Sequence, residues 1–504
     1  MEDNSGIART AVRSAAWSYA TFVGSKGLVF ITTVILARLL TPEDFGLLAL
    51  GMLAINYLDT LDDLGVADAL IYHQKDPLRT LNAAFLLNTL SATIVTLIAY
   101  FGAPLVAEFF HEPRVTDIVR ALSFVFVLAS TGHLLEARLR KGLDFRSRFG
   151  IEVTKGLLKG GISILFAIMG FGVWSLVWGQ LLGAAAGTLL YWIKSRWIPR
   201  LIFDPEITRS LIGYGWQMTL VSILGMIHKN IDYLIVGYRM DAVQLGYYTM
   251  GFRLPELIII SFCQVVAQIM FPTYAKMQDK IDVLRAGYAK TLRYVSLVTV
   301  PAGIGVFMIA SDFVHVFYTE RWAPAIPVVQ TLAIYALIYS LSYNAGDIYK
   351  ATGRPDLLNK ISIIKLLITL PALWIAASYN IFYVALAQLL TTVILTLIRL
   401  WIASRVIGLE FLKILAAFWP SFLAAGAMLL GNFALGFMLT DFPALTRMFI
   451  TIAVGIFLYT ITFWLVDREF LLQAVSILVR SLRGADPKPT PVQSTARGVD
   501  GDSL

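Results

Sequence analysis

Apolar residues along this chain come in runs of about twenty, the length an α-helix needs to cross a hydrocarbon core of about 30 Å. Such windows predict helices over Trp17–Leu40, Gly46–Tyr72, Phe85–Phe110, Ile118–Leu135, Ile151–Phe171 and Val173–Ile193. After a polar link with Pro199 and Pro205 come Gly213–Gly237, Leu245–Phe271, Thr291–Phe313, Ile326–Tyr349, Ile361–Ser378 and Phe382–Ile402. Phe411–Phe433 and Ala444–Trp464 complete fourteen. Backbone polar groups in lipid must be satisfied within the segment, so these runs predict an all-α polytopic membrane protein with 14 transmembrane helices. The first apolar stretch runs for a full span, so no cleavable signal is expected. Gly484–Leu504, with Pro487, Pro489 and Pro491 among small polar residues, is expected to be disordered.

Composition agrees. Of the 504 residues 58% are apolar or aromatic and 15% charged, against about 25% charged in soluble chains. The distribution of charge orients the spans. With the N-terminus inside, 28 of the 41 Lys and Arg fall in inside segments, 6 in outside loops and 7 within spans. Positive residues collect on the cytoplasmic face, so both termini are expected there. The net charge of +8 then needs no nucleic acid to explain it. One cysteine, Cys263, and five scattered histidines offer neither a disulfide nor a metal-ligand set. No cofactor is expected.

The halves echo each other. At an offset of 200, Ile35, Gly46 and Gly51 overlay Ile235, Gly246 and Gly251, and at 210, Arg140 and Lys155 overlay Lys350 and Lys365. Duplication of this kind is common in transporters. The expected organisation is a first lobe over 1–197, a linker over 198–210, a second lobe over 211–407, two extra helices over 408–466 and a cytoplasmic tail over 467–504.

The run Ala37-Arg38-Leu39-Leu40-Thr41-Pro42-Glu43-Asp44-Phe45-Gly46 resembles a signature of bacterial polysaccharide exporters in the multidrug, oligosaccharidyl-lipid and polysaccharide flippase superfamily. Asp63-Leu64-Gly65, Asp232-Tyr233-Leu234-Ile235-Val236-Gly237, Leu245-Gly246-Tyr247-Tyr248, Phe271-Pro272 and Ala351-Thr352-Gly353 add to it. The resemblance implies two pseudosymmetric six-helix lobes around a central cavity. It implies as cargo a polyprenyl-linked oligosaccharide, flipped across the inner membrane by alternating access for surface polysaccharide synthesis. Membrane lipids, and a polysaccharide polymerase or export machinery, would be its partners.

Ionisable groups inside spans cost about 2.5–3.5 kcal/mol each at a helix centre, so they face protein or a wet cavity. Lys26, Lys155, Lys159, Lys229, Arg253 and Lys365 are the candidate cations for a cargo phosphate. Lys155 and Lys365 are expected to pair across the lobes at the inward gate. Asp232 can share a face with Lys229, and Glu256 with Arg253, where Pro255 marks a kink. Asp59, Asp62 and Asp63 pair with cations, face solvent, or bind a coupling proton or sodium ion. Gly179, Gly183 and Gly187 predict close helix packing. Trp17, Trp174, Trp192, Trp197, Trp322 and Trp464 lie near span ends, as interfacial anchors do.

Two other classes compete. A membrane enzyme of polysaccharide assembly needs reactive groups gathered outside the bilayer, and the outside connections are short and hold none. An ion-coupled multidrug antiporter would want an acidic or aromatic pocket for a positively charged substrate, whereas these buried groups are mainly cationic and favour an anionic cargo. The apolar spans Phe411–Phe433 and Ala444–Trp464 are expected to face lipid all round, with Ala424, Ala425, Gly426 and Gly455 bordering a groove for the polyprenyl tail.

Overall fold

A computed structural model describes residues 26–62, 77–141, 144–197 and 230–482, with isolated positions 24, 199, 205, 208 and 226. Regular structure among these residues is helical. In chain order the helices are α1 (26–39), α2 (Pro42–Asp62), α3 (Pro77–Phe109), α4 (Val115–Lys141), α5 (Phe145–Ile168), α6 (Val173–Ser195) and α7 (230–239). They continue as α8 (Ala242–Met277), α9 (Ile281–Phe317), α10 (Glu320–Ala351), α11 (Asp356–Ala376), α12 (Ile381–Ile407), α13 (Phe411–Gly436) and α14 (Ala444–Leu482). Ten of them, α3, α4, α6 and α8 to α14, are long and apolar enough to cross a membrane. In α5 the first turns carry Arg146, Arg148, Glu152, Lys155 and Lys159, which lower its apolarity.

Several helices depart from ideal geometry, each for a local reason. Pro255 cannot donate to the ladder, and α8 widens directly after it into a π turn over Glu256–Ile260. This is where the sequence predicts a kink. The first stretch of α10 is a 3-10 turn, Glu320–Ala325, and the helix breaks again between Leu341 and Ala345. At Asp467 the backbone of α14 leaves helical geometry, and the Asp467 carboxylate accepts from the Phe470 N–H, capping the next helical stretch. Helix therefore runs on to Leu482, through the first part of the expected tail. Residues from 484 lie outside the described ones.

Packing joins the two halves of the chain. α2 and α8 cross at Gly46 and Gly246, and beside this crossing the Trp322 indole N–H donates to the Ala37 carbonyl at 2.8 Å. Trp322 is completely buried, its ring edge on Phe45 at 5.4 Å, so it is a core residue and not the interfacial anchor expected. It sits in the 3-10 turn that folds over the α1–α2 corner, away from lipid. Trp197 is likewise buried, stacked on Trp192.

α13 and α14 do not face lipid all round. Arg447 of α14 pairs with the buried Asp312 of α9, Arg293 of α9 pairs with Asp467, and Tyr459 donates to the Leu297 carbonyl. Ala424 and Ala425 are buried, and Gly455 packs on Met428 and Asn432 of α13. These small residues thus make helix contacts and do not border a groove. The apolar groove that does exist, about 330 Å³, runs between α10, α12 and α13 and includes Leu415, Phe418, Trp419 and Phe422.

Candidate functional site

A cavity of about 730 Å³ lies at the centre of the bundle. α1, α2, α5 and α6 supply one wall, and α7, α8, α10, α11 and α12 the other. Along α2 the lining runs from Phe45 to Asn56, about 16 Å at 1.5 Å per residue.

The cationic candidates separate sharply. Lys159, Arg253 and Lys365 line the cavity, from α5, α8 and α11. Lys155 does not, because its ammonium lies 3.7 Å from Glu152 and its stem runs along Gly187 of α6. Of the two lysines expected to pair across the lobes, Lys365 thus lines the cavity and Lys155 does not. Lys26 lies near the described start of α1, one turn before Val29, where the lining of that helix begins. Lys229 is outside the described residues.

Lys159 reaches its position because α6 is cut away opposite it. A Cβ on Gly183 would lie 2.8 Å from the Lys159 Cβ, and one on Gly179 would lie 1.8 Å from the Ser163 hydroxyl. The four-residue glycine spacing thus brings α5 and α6 together as the sequence predicts. Among the described residues no carboxylate lies within ion-pair distance of Lys159. Its electrostatic neighbours, Arg253 and Lys155, carry the same sign.

The acidic candidates are engaged. Glu256 lies 3.7 Å from Arg253, the predicted one-turn pair, and both face the cavity. Asp232 is buried in the α7 wall and accepts a 2.7 Å hydrogen bond from the Tyr248 hydroxyl, while Lys365 exerts a Coulombic pull on it. Its other oxygen, Oδ1, is buried without a hydrogen-bond partner. Asp59 is exposed at the far end of α2 and does not line the cavity. Asp62 is helical, but its side chain, like Asp63, lies outside the described residues.

Sequence reasoning passed over the neutral lining. Gln180 of α6 and Gln388 of α12 face the cavity, as do Tyr335, Tyr339 and Tyr343 of α10. The tyrosines had a legible signal, a repeat of one residue type every four positions, which puts all three on one helix face.

A helical bundle with ten helices long enough to cross a membrane and a charged cavity at its centre defines a multi-pass membrane transport protein. The comparisons with known proteins agree. A family profile described as "Polysaccharide biosynthesis protein" matches residues 35–327, more than half the chain, and the chain belongs to that family. It is 26% identical to the lipopolysaccharide biosynthesis protein WzxC of Escherichia coli (strain K12), over 85% of this chain and 88% of that one. It is 24% identical to the succinoglycan biosynthesis transport protein ExoT of Rhizobium meliloti (strain 1021), over 96% and 98%. In fold it is similar to the lipid II flippase MurJ in an inward closed conformation, with TM-score 0.70 and 15% identity over 90% of this chain and 99% of that one. The resemblance noted in the sequence is borne out.

Proposed function

We propose that this protein flips a polyprenyl-(pyro)phosphate-linked oligosaccharide from the cytoplasmic to the outer leaflet of a bacterial inner membrane. The observation that carries the reading is Lys159, a cation on the cavity wall with no carboxylate beside it and like charges as its neighbours. A buried charge in that setting calls for an anion, and a phosphate supplies it with charge-assisted hydrogen bonds. Lys365 and Arg253 complete the cradle from the opposite wall. The names of the relatives, which make lipopolysaccharide and succinoglycan, and of the structural neighbour, a lipid II flippase, support the same cargo class. Such relatives are transport proteins, and catalysis has no place in this reading.

The architecture proposed is fourteen spans, two six-helix lobes with α13 and α14 appended, and both termini cytoplasmic. The α1–α2 corner then lies at the outer face, where the α2–α8 crossing closes the cavity. Asp232, a lining residue with one buried oxygen that has no hydrogen-bond partner, is the proposed site of a coupling proton or sodium ion. The flipped oligosaccharide would pass to a polymerase and export machinery.

The test uses purified protein in liposomes with a fluorescent polyprenyl-pyrophosphate-linked oligosaccharide, scored for arrival in the opposite leaflet. Transport of the pyrophosphate carrier, and none of the same glycan on an uncharged lipid, is the expected result. Transport of lipophilic cations in place of the glycolipid would establish the antiporter reading.

A further inference from the structure

Tyr335, Tyr339 and Tyr343 form a continuous aromatic row on the cavity wall. The Tyr335 and Tyr339 rings are parallel within 6° at a centroid distance of 6.0 Å, and Tyr343 meets Tyr339 edge-on at 5.5 Å. The row covers two helical turns, about 12 Å. The Tyr339 and Tyr343 side chains are half-buried, open to the cavity, and the Arg399 guanidinium lies 5.5 Å from the Tyr339 ring centre. Beside Tyr335 on the same wall, the buried Gln388 has an Oε1 with no hydrogen-bond partner.

The fold does not require this row. At the offset of 210 that relates Arg140 to Lys350, the counterparts of the three tyrosines are Val125, Ala129 and His133 of α4. None of these three positions carries a phenol and none lines the cavity, so among the lining residues only the second half supplies such a row to the cavity. Lys159 faces it from one wall, and a polarisable, hydroxyl-bearing surface faces it from the other.

We propose that this row is a rail for the sugar rings of the cargo, with Gln388 Oε1 accepting a sugar hydroxyl. The inference rests on the reading of the cavity as a lipid-linked glycan site and assigns the glycan the α10 stretch of the wall that also carries Arg253 and Lys365. A pyranose presents a face of C–H bonds, and this weakly positive face packs on the negative face of an aromatic ring. The tyrosine hydroxyls donate to and accept from ring substituents at the edges. Contacts of this kind need only one pyranose face clear of axial hydroxyls, so successive sugars that present such a face can slide along the row as the phosphate moves. Two turns of helix accommodate two to three sugar rings, so a single sugar would gain little from the rail.

Two carriers in proteoliposomes test this, a polyprenyl pyrophosphate bearing one sugar and one bearing a tetrasaccharide. The triple variant Tyr335→Leu, Tyr339→Leu, Tyr343→Leu should slow the tetrasaccharide carrier by roughly ten-fold or more, the scale of lost aromatic contacts. It should leave the single-sugar carrier within about two-fold, a result that also certifies folding. The triple change to Phe keeps the rings and should keep most of the tetrasaccharide rate. Tyr343→Leu alone, at the break in α10 and outside the packed core, should slow the tetrasaccharide selectively even if the triple leucine variant does not fold. The rail is overturned if the wild type moves both carriers and the leucine variants slow both alike or neither. If the wild type moves neither carrier, the reading of the cavity fails first and the rail with it.

Discussion

Gly46 of α2 lies so close to Ala242 of α8 that a Cβ on the glycine would sit 1.6 Å from the Ala242 carbonyl oxygen. The contact is reciprocal. A Cβ on Gly246 would sit 1.9 Å from the Pro42 carbonyl, and the offset of 200, which takes Pro42 to Ala242 and Gly46 to Gly246, relates the two contacts to each other. Two backbones that touch in this way can close a cavity with no side chain between them.

Gly46→Ala is expected to disfavour the closed arrangement of this corner. The overlap is with backbone, which cannot rotate away, so the cost should reach at least the roughly 1–3 kcal/mol typical of overpacking. A cysteine placed at Thr41 should then react faster with a membrane-impermeant reagent than in the Gly46 parent. The background is low, because the native Cys263 is buried. Equal labelling rates would show that the crossing is not the gate.

Lys159→Ala and Lys155→Ala should behave differently although they are one turn apart. The first removes a cavity cation and should cut glycolipid flipping by roughly ten-fold or more, with Lys159→Arg milder because the guanidinium still offers donors to phosphate. The second removes a lysine paired to Glu152 outside the cavity and should change flipping little. Equal losses from both would place the phosphate elsewhere.

Truncation after Leu409 should destabilise the remaining core, because it deletes Arg447 and Asp467 and leaves the buried Asp312 without its ion-pair partner. Asp467→Ala isolates part of this effect. It removes both the helix cap and the pair to Arg293, and the cap alone is worth about 1 kcal/mol. A lower Tm and earlier proteolysis after Arg468 are expected. The partly exposed ion pair adds little. An unchanged Tm would show that the stretch after Asp467 is held by Phe470, which packs on Tyr294 at 4.7 Å, and not by its cap.

Acid should loosen the turn between α3 and α4. Arg114 reaches Glu112 at 2.8 Å and Glu43, in the first turn of α2, at 2.6 Å. The hydrogen bond from Arg114 holds the Glu112 carboxyl below its ordinary value. A depressed carboxyl contributes stability above its unfolded value, about 4.3 for Glu, and loses it as pH falls through the lower folded value. The labelling rate of the Thr41 cysteine, divided by that of a fully exposed reference cysteine so that the falling thiolate fraction cancels, should therefore be flat from pH 7 to about 5 and rise below about 4. Glu112→Gln should remove part of that rise, and an identical profile in this variant would rule the clamp out.

The apolar runs and the Pro and Gly punctuation determine the helices, since in a membrane a segment has to satisfy its own backbone and its span is written locally. The α5–α6 contact was legible for the same reason, as small residues every four positions state a packing face. Charge was legible only as a list. Lys155 and Lys159 share a helix face, and only the approach of α6, with Glu152 beside one of them, decides that Lys159 alone faces the cavity. Asp232 was read with Lys229 on its own helix, whereas it accepts from Tyr248 of α8 and lies under the pull of Lys365 of α11. Trp322 reads as an anchor by position and is core by packing, and Arg447 reads as a loop charge and is a clamp. Apart from Glu152, one turn from Lys155, these partners lie tens to hundreds of residues away. Local sequence carries periodicity and propensity, while the pairing of a buried charge is a property of whichever surfaces the bundle brings together.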